Sequence, residues 1–404
     1  MNTIALRGFG RLVADGVVGV SHIAEALQTA IVERIPLPPI APQAVGGIAG
    51  LVHRTVRGTA RGIGHGLDKL LQAATPARWQ GDGDASMRRL RAIVNGVLGD
   101  HLHASGNPLA IPMRLRFDGK PLDITQEQLA ALPTATTPRI LLIVHGLCMA
   151  PDQWQRNGHD HGAAIAEEFG WLPIHLEYNS GLHVSHNAHA MSALLQQLFD
   201  AWPVGIERFA ILAHSMGGLI ARSALYQAQA AGMDWGARLD DLVFLGTPHH
   251  GAPLERVGHG VDRLLGASPY SAPFAMLGTS RSAGIVDLRR GDLLESDWRD
   301  GHSRSRTPIP LPAGVRCRAV AAALHEPHSK RARHWIGDGL VPLSSALGEH
   351  PEPEYALKLP RSSQLVVDDA GHFDLLDDTR VYQQLRDWLG TGSKPKRRRG
   401  NPKV

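Results

Sequence analysis

One short run of the chain, residues 208–220, constrains the fold more than any other part of the sequence. An apolar stretch of strand character, Phe209–Ala213, leads into Ser215, and a helix-compatible stretch follows at 219–230. The residues two before and two after the serine are alanine and glycine, as a sharp strand-to-helix turn requires. Such a turn lifts the serine hydroxyl clear of the backbone and directs the N–H groups of the helix towards it. The run therefore predicts a strained, accessible serine at the carboxyl end of a buried strand.

A second apolar strand lies upstream and ends in a histidine-glycine pair. Arg139–Val144 is continuously apolar after its first residue, as in a buried parallel sheet, and His145, Gly146 and Leu147 follow it. The oxyanion that forms in acyl transfer needs two backbone N–H donors, each typically worth ~3 kcal/mol of barrier lowering. We expect these donors from Leu147 and from Met216, the residue after the serine.

A downstream acid and histidine complete the set of groups that a nucleophilic serine needs. Asp338 lies in a loop after the strand candidate 316–324, and His372 follows the strand candidate 363–368. The chain order is Ser215, Asp338, His372, and loops after parallel strands meet at one edge of the sheet. We expect His372 to take the serine proton and Asp338 to hold the imidazole in the useful tautomer.

Other histidines and acids compete for these two roles, but their positions in the sequence argue against them. None of the rival histidines has the glycine-histidine position after the last strand, and two rival acids are too close to His372 to come from a separate loop. The rivals are His214, His249, His250, His325, His328, His334, Asp369, Asp374 and Asp377.

Taken together, these motifs resemble the α/β-hydrolase superfamily and, within it, bacterial lipases and esterases of the GPI-inositol deacylase type. The resemblance covers roughly residues 137–390 and is carried by residues 145–147, 213–218, 245–251, 338–342 and 371–373. It implies hydrolysis of a carboxylic ester through an acyl-serine. It does not fix the substrate, because this fold supports many activities.

Strand and helix patterns alternate from residue 139 onwards, which predicts a doubly wound, mostly parallel α/β sheet. The strand candidates lie near residues 139–144, 172–177, 208–213, 241–246, 316–324 and 363–368. Residues 76–136 are interpreted as a linker and lead-in hairpin, because Met113–Phe117 alternates like an edge strand before the turn residues Asp118 and Gly119.

Residues 1–75 predict a helical appendage whose role the sequence leaves open. Apolar residues recur at helical spacing before Pro36, and Gly58, Gly62 and Gly66 lie four apart on one face of a second helix. A helical hairpin docked on the core or on a second copy, a membrane-surface helix pair and disorder are the alternatives. Composition favours the docked helical hairpin. The membrane-surface helix pair would imply peripheral contact of the protein with a membrane.

Residues 251–310 interrupt the alternation and predict a cap over the site, with a helix at 254–265. Its apolar side chains are candidates for the acyl pocket, although packing within the cap explains them at least as well. The candidates are Leu264, Leu265, Phe274, Met276 and Leu277.

The charge and cysteine content exclude several other classes of protein. The chain has a formal net charge of +4, but residues 391–404 carry six basic residues and no acid, so the rest is close to neutral. We interpret 391–404 as a disordered basic tail, and we expect no nucleic-acid partner. Two cysteines give no disulfide framework. Residues 1–35 contain no unbroken apolar segment of signal-peptide type, so we expect a cytoplasmic location.

Three histidines at steps of three, His183, His186 and His189, superficially resemble a metal site. A zinc site needs three or four converging ligands, and no acid lies near them in the sequence. We therefore predict no metal and no cofactor here, and interpret the segment as the start of a helix with Ser185 as its N-cap.

The sequence thus predicts a serine hydrolase acting on a small-molecule or lipid ester. Two alternatives remain. The first keeps the mechanism but changes the reaction to deacylation of a glycolipid or phospholipid, or to acyl transfer to an acceptor other than water. The second is a non-catalytic lipid-binding protein with the same fold. The oligomeric state and the acyl chain length are not determined by these patterns.

Overall fold

A computed structural model of the 404-residue chain describes residues 85–133, 138–252, 282–299, 306–324 and 337–390. The α-helices in these residues are α1 Ala85–Ala104, α2 Gln126–Ala130, α3 His161–Phe169, α4 Val184–Ala201, α5 Met216–Ala230, α6 Asp234–Arg238, α7 Ala283–Arg290, α8 Leu343–Ala346 and α9 Thr379–Leu389. The strands are β1 Arg114–Phe117, β2 Lys120–Leu122, β3 Arg139–Val144, β4 Leu172–Glu177, β5 Arg208–His214, β6 Asp241–Leu245, β7 Arg316–Ala323 and β8 Gln364–Asp368.

The eight strands form one mostly parallel sheet in the order β2-β1-β4-β3-β5-β6-β7-β8. Strands β3 to β8 pair in parallel, whereas β1 is antiparallel to both β2 and β4. This topology confirms the doubly wound α/β prediction. The lead-in hairpin is present, but β2 forms the sheet edge and β1 lies one strand inside it.

The central strands are apolar on both faces because helices cover both sides of the sheet. In β3, Ile140, Leu142 and Val144 pack into one core, and Leu141 and Ile143 pack into the core on the opposite face. Each of these side chains is fully buried. This two-sided burial explains the unbroken apolar run in the sequence.

The parallel register brings the carboxyl ends of the strands to one edge. Val144 of β3 pairs with Ala213 of β5, and His214 pairs with Leu245 at the end of β6. Ala323 at the end of β7 pairs with Asp368 at the end of β8. Every loop predicted to carry a functional residue leaves the sheet at this edge.

At the opposite edge, where the parallel strands begin, one buried carboxylate contacts three arginines. Asp241 of β6 accepts hydrogen bonds from Arg208 of β5 (2.8 Å) and from Arg316 of β7 (2.8 and 2.6 Å), and it also pairs with Arg318. Burial alone would raise the pKa of Asp241, but the hydrogen bond from Arg316 and the charge of Arg318 outweigh it and lower that pKa. This group, Asp241 with its three arginines, is called the amino-edge cluster below.

Helix α1 is the main difference from the sequence analysis, which treats residues 76–136 as linker and hairpin. The helix is 20 residues long and contributes a row of buried apolar side chains to the larger core. These are Leu90, Ile93, Val94, Val97, Leu98 and Leu102. Residues 85–104 are therefore part of the packed domain.

Several predicted features lie outside the described residues. They are the appendage 1–75, the basic tail 391–404, the predicted cap helix 254–265 and the pocket candidates Leu264, Leu265, Phe274, Met276 and Leu277. No helix in the described part of the chain is both long and apolar enough to cross a membrane.

Candidate active site

Ser215 lies at the turn between β5 and α5 in a strained backbone conformation. Its φ is 54° and its ψ is −124°, a region that residues with a side chain rarely occupy. The backbone N–H of Ser215 donates to the carbonyl of Leu245 at 2.8 Å, which ties the turn to the end of β6. The residue retains 7 % of its surface accessible.

The packing of α5 on β3 requires glycine at position 217, two residues after the serine. A Cβ added at Gly217 would lie 2.6 Å from the carbonyl oxygen of His145 and 2.7 Å from that of Val144. No side chain fits at those distances, so α5 can approach the end of β3 only with glycine there.

Asp338 and His372 form a buried hydrogen-bonded pair. The Nδ1–H of His372 donates to Asp338 Oδ2 at 2.7 Å, and both side chains are almost completely inaccessible. The other carboxylate oxygen, Oδ1, accepts the backbone N–H groups of Leu340 (2.9 Å) and Val341 (2.8 Å). These contacts fix the carboxylate, and they fix the imidazole tautomer with the proton on Nδ1.

The end of β6 brings this pair close to Ser215. Gly246 follows Leu245, the acceptor of the Ser215 N–H, and a Cβ added at Gly246 would lie 3.0 Å from the His372 ring. Among the residues that the structure describes, no hydrogen bond joins the Ser215 hydroxyl to His372. Such contacts commonly tighten only when substrate binds.

Both segments that carry the predicted oxyanion donors come close to Ser215. Met216 is the first residue of α5, so its N–H has no acceptor within the helix. The loop that contains Leu147 also reaches the serine, because a Cβ added at Gly146 would lie 3.0 Å from the Ser215 Cβ. The next N–H in that loop, from Cys148, donates to Ser180 Oγ at 3.0 Å and is already occupied.

The loop after β3 is held by an aromatic contact that the sequence does not reveal. The ring of His145 stacks on that of Tyr178 with centroids 4.2 Å apart, and the Tyr178 hydroxyl donates to the His145 carbonyl at 2.6 Å. Burial lowers the pKa of His145 to about 4. The imidazole is therefore neutral at pH 7 and serves as a packing group.

His214 is a further residue whose position the sequence analysis underestimates. It is completely buried, its ring lies 4.6 Å from that of His372, and its Nε2–H donates to the His372 carbonyl at 3.2 Å. Burial, reinforced by the neighbouring His372, holds the pKa of His214 well below its usual range. A neutral His214 thus supports the backbone of His372. Its position directly before the serine is the only sequence signal for this role.

The histidines at 183–189 belong to a different arrangement from the one predicted. Helix α4 begins at Val184, and its first N–H donates to Asp287 Oδ2 of α7 at 2.8 Å, so Ser185 is not the N-cap. The same carboxylate accepts His183 Nδ1–H at 3.0 Å, and the His183 ring stacks on Trp298. An acid therefore does approach these histidines, from about one hundred residues away in the chain. Within the described ranges, no group of three or more histidine, cysteine or acidic side chains could hold a metal ion.

Residues 178–270 match the family described as PGAP1-like alpha/beta domain. The matched segment includes Ser215 and ends before Asp338 and His372. No curated protein matches the chain.

Several solved structures are similar to part of the chain. The mature lipase BlEst2 of Bacillus licheniformis is 19% identical, with a TM-score of 0.39 over 64% of this chain and 94% of that chain. Lipase B of Aspergillus fumigatus is 10% identical, with a TM-score of 0.40 over 70% and 57%. The esterase Pf2001 of Pyrococcus furiosus is 14% identical, with a TM-score of 0.37 over 63% and 84%. The sheet order and the family match together confirm the predicted α/β-hydrolase fold.

Proposed function

We propose that this protein is a serine hydrolase that cleaves a carboxylic ester through an acyl-serine intermediate. The observation that carries the proposal is the buried Asp338–His372 pair at the same sheet edge as the strained Ser215. A serine needs a base to become nucleophilic at neutral pH, and the base needs a fixed orientation. Both requirements are met by side chains from loops that follow separate parallel strands.

In the first half of the reaction, Ser215 Oγ attacks the ester carbonyl while His372 Nε2 takes its proton. Asp338 stabilises the imidazolium that forms, without itself accepting the proton. The negative charge on the carbonyl oxygen is held by the N–H groups of Leu147 and Met216. Collapse of this intermediate breaks the bond to the alcohol, which leaves with the proton from His372.

In the second half, water replaces the alcohol. His372 removes a proton from the water as it attacks the acyl-serine, and the same two N–H groups hold the second oxyanion. Return of the proton to Ser215 Oγ releases the carboxylic acid. No cofactor takes part in any of these steps.

The test is hydrolysis of p-nitrophenyl esters from acetate to palmitate by wild type and by Ser215→Ala. We expect the variant to lose at least ~10³-fold in turnover with an unchanged circular dichroism spectrum. Ser223→Ala is the matched control, because Ser223 is a buried serine of α5, the helix that follows Ser215, and its hydroxyl donates to the Leu293 carbonyl. Turnover by Ser215→Ala equal to that of the control would refute the proposal.

A narrower alternative is deacylation of a glycolipid or phospholipid, or transfer of its acyl group to an acceptor other than water. The match of residues 178–270 to the PGAP1-like family favours this alternative. It predicts release or transfer of an acyl chain from lipid vesicles and weak activity on soluble esters. Strong activity on p-nitrophenyl acetate with no lipid product would exclude it. A non-catalytic lipid-binding role predicts that a fluorophosphonate does not label Ser215.

A further inference from the structure

Helix α1 packs its backbone directly on the loop that carries the predicted oxyanion donor Leu147. The contact is between Gly96 of α1 and Cys148, the residue after Leu147. A Cβ added at Gly96 would overlap the Cys148 Sγ and would lie 3.1 Å from both its Cα and its N. The helix can therefore approach the loop this closely only with glycine at position 96.

Cys148 is also held from a second direction. Its N–H donates to Ser180 Oγ at 3.0 Å, in the loop after β4, and its side chain is completely buried. The backbone of Cys148 has a φ of 59°, so the loop makes a sharp turn at this residue. Helix α1 on one side and Ser180 on the other thus fix the peptide that follows Leu147.

Three hydrogen bonds fix α1 itself against this edge. Ser282 Oγ donates to the Gly96 carbonyl at 2.7 Å, and the N–H of Ala283 donates to Asp100 Oδ2 at 2.9 Å. Asn179 Nδ2 donates to the Gly99 carbonyl at 2.9 Å, in the loop that also contains Ser180. The helix therefore cannot retreat from Cys148 without breaking bonds to two other segments.

We propose that Gly96 and Ser180 are positioning residues that set the location of the Leu147 N–H through Cys148. The proposal rests on the proposed function, since it assigns a role in holding the oxyanion. Neither residue touches the ester or the reacting atoms. Helix α1, which precedes the first strand of the sheet, acts on the site only through this contact with Cys148.

The expected changes in kcat and KM follow from the stage of the reaction at which the oxyanion forms. The charge on the carbonyl oxygen develops in the transition state and is absent in the bound ester. Displacement of one donor by a fraction of an ångström therefore lowers kcat and kcat/KM together and leaves KM nearly unchanged. General loosening of the fold gives a lower melting temperature without this pattern.

The experiment compares Gly96→Ala with Leu102→Ala on a soluble p-nitrophenyl ester. Leu102 is a fully buried core residue of the same helix, six positions after Gly96, so its truncation loosens the packing of α1 without adding an atom next to Cys148. We expect Gly96→Ala to lower kcat about 10- to 100-fold with KM little changed. Leu102→Ala lowers the melting temperature, and its folded fraction keeps a kcat close to that of wild type.

A second substitution that removes the overlap between position 96 and Cys148 should restore activity. The double variant Gly96→Ala/Cys148→Gly removes the Sγ atom and places glycine at a positive φ, and it should recover most of the lost kcat. Should Gly96→Ala fail to fold, Ser180→Ala tests the same loop without adding an atom, and it should lower kcat with KM unchanged.

The outcomes separate this proposal from the proposed function. An active wild type with Gly96→Ala and Ser180→Ala equally active overturns the positioning role alone. An equal loss of kcat in Gly96→Ala and Leu102→Ala, without rescue by Cys148→Gly, also overturns it. A wild type that neither hydrolyses any ester nor reacts with a fluorophosphonate overturns both.

Discussion

The polar residues at the two ends of the central strands differ in their charge and in their partners. At the start of β5, β6 and β7, the amino-edge cluster neutralises its buried carboxylate with three guanidinium groups. At the other end of the same strands, Ser215 and His372 lie among buried imidazoles whose pKa values are lowered by burial. At one edge, both oxygens of the buried carboxylate are paired with guanidinium groups. The other edge combines the Asp338–His372 pair with neutral imidazoles and a strained backbone.

We infer from this contrast that stability and the proposed chemistry depend on different ends of the sheet. A saturated ion cluster resists change, because loss of one member leaves buried charges without partners. A base that must gain and lose a proton cannot lie among fixed positive charges, which would oppose its protonation, so the buried imidazoles around His372 are neutral and its one ionic partner is the Asp338 carboxylate. Substitutions at the two edges should therefore separate activity from stability.

The largest expected effect is the loss of turnover in Asp338→Asn. The amide oxygen can still accept the N–H groups of Leu340 and Val341, but its NH₂ group then faces His372 Nδ1 and stabilises the wrong tautomer. We expect kcat to fall by about 10⁴-fold with a nearly unchanged free energy of unfolding. Asp369→Asn is the matched control, since Asp369 is also an acid near His372 in sequence. Similar kcat values for the two variants in a steady-state ester assay would remove Asp338 from its role.

The amino-edge cluster should show the reverse pattern in Asp241→Asn. Removal of the charge leaves three arginines without their common counter-ion, which should lower the free energy of unfolding by about 3 kcal/mol. Turnover by the folded fraction stays close to that of wild type. Urea denaturation gives the first quantity and an ester assay the second.

An exposed ion pair at the same edge serves as the control for this substitution. Glu207 pairs with Arg139 at 2.9 Å with both side chains about one third accessible, so Glu207→Gln should cost less than about 1 kcal/mol. Equal stability of Asp241→Asn and Glu207→Gln would contradict the assignment of stability to the buried cluster.

The smallest effect expected of a single test substitution is a change in the acid sensitivity of stability, caused by the buried histidines. The folded pKa of His145 and of His161 is about 4, below the ordinary value of 6.5. The unfolded chain therefore binds more protons below pH 6.5, and stability falls as pH drops from 6.5 towards 4. At pH 5 the loss is roughly 2 kcal/mol for each of these two histidines. Asp241, whose pKa is lowered, loses its contribution only as pH falls below its ordinary value of 3.8.

Urea denaturation at pH 7 and pH 5 measures this difference. The variant His161→Gln keeps an N–H donor near the Leu375 carbonyl and removes one titratable group. Its free energy of unfolding should therefore fall less between pH 7 and pH 5 than that of wild type. The exposed His189→Gln should behave like wild type. Identical pH dependence in all three proteins would refute the account of the buried histidines.

The sequence predicted the strands well because burial on both faces leaves an unambiguous pattern. Strands β3 and β4 have the predicted bounds, and β5 to β8 end within one residue of them. The site residues could be ordered along the chain because each follows such a strand. Their convergence is a property of parallel sheets and needs no knowledge of side-chain contacts.

Helix α1, His214 and Asp287 could not be predicted in the same way. Gly96 and Gly99 weaken the helical pattern of α1, and the reasons for them are two loops, about fifty and eighty residues later in the chain. The hydrogen bond from His214 to the His372 carbonyl spans 158 positions, and Asp287 caps α4 from 103 positions away. Such contacts depend on the folded arrangement and leave no local periodicity.

The most direct test of the central claim is mass spectrometry after reaction with a fluorophosphonate. The account predicts one adduct, on Ser215, that forms in wild type and in folded Asp241→Asn and is strongly slowed in His372→Ala. An adduct on another residue, or none in the folded wild-type protein, would contradict the assignment of the chemistry to Ser215 at the carboxyl edge.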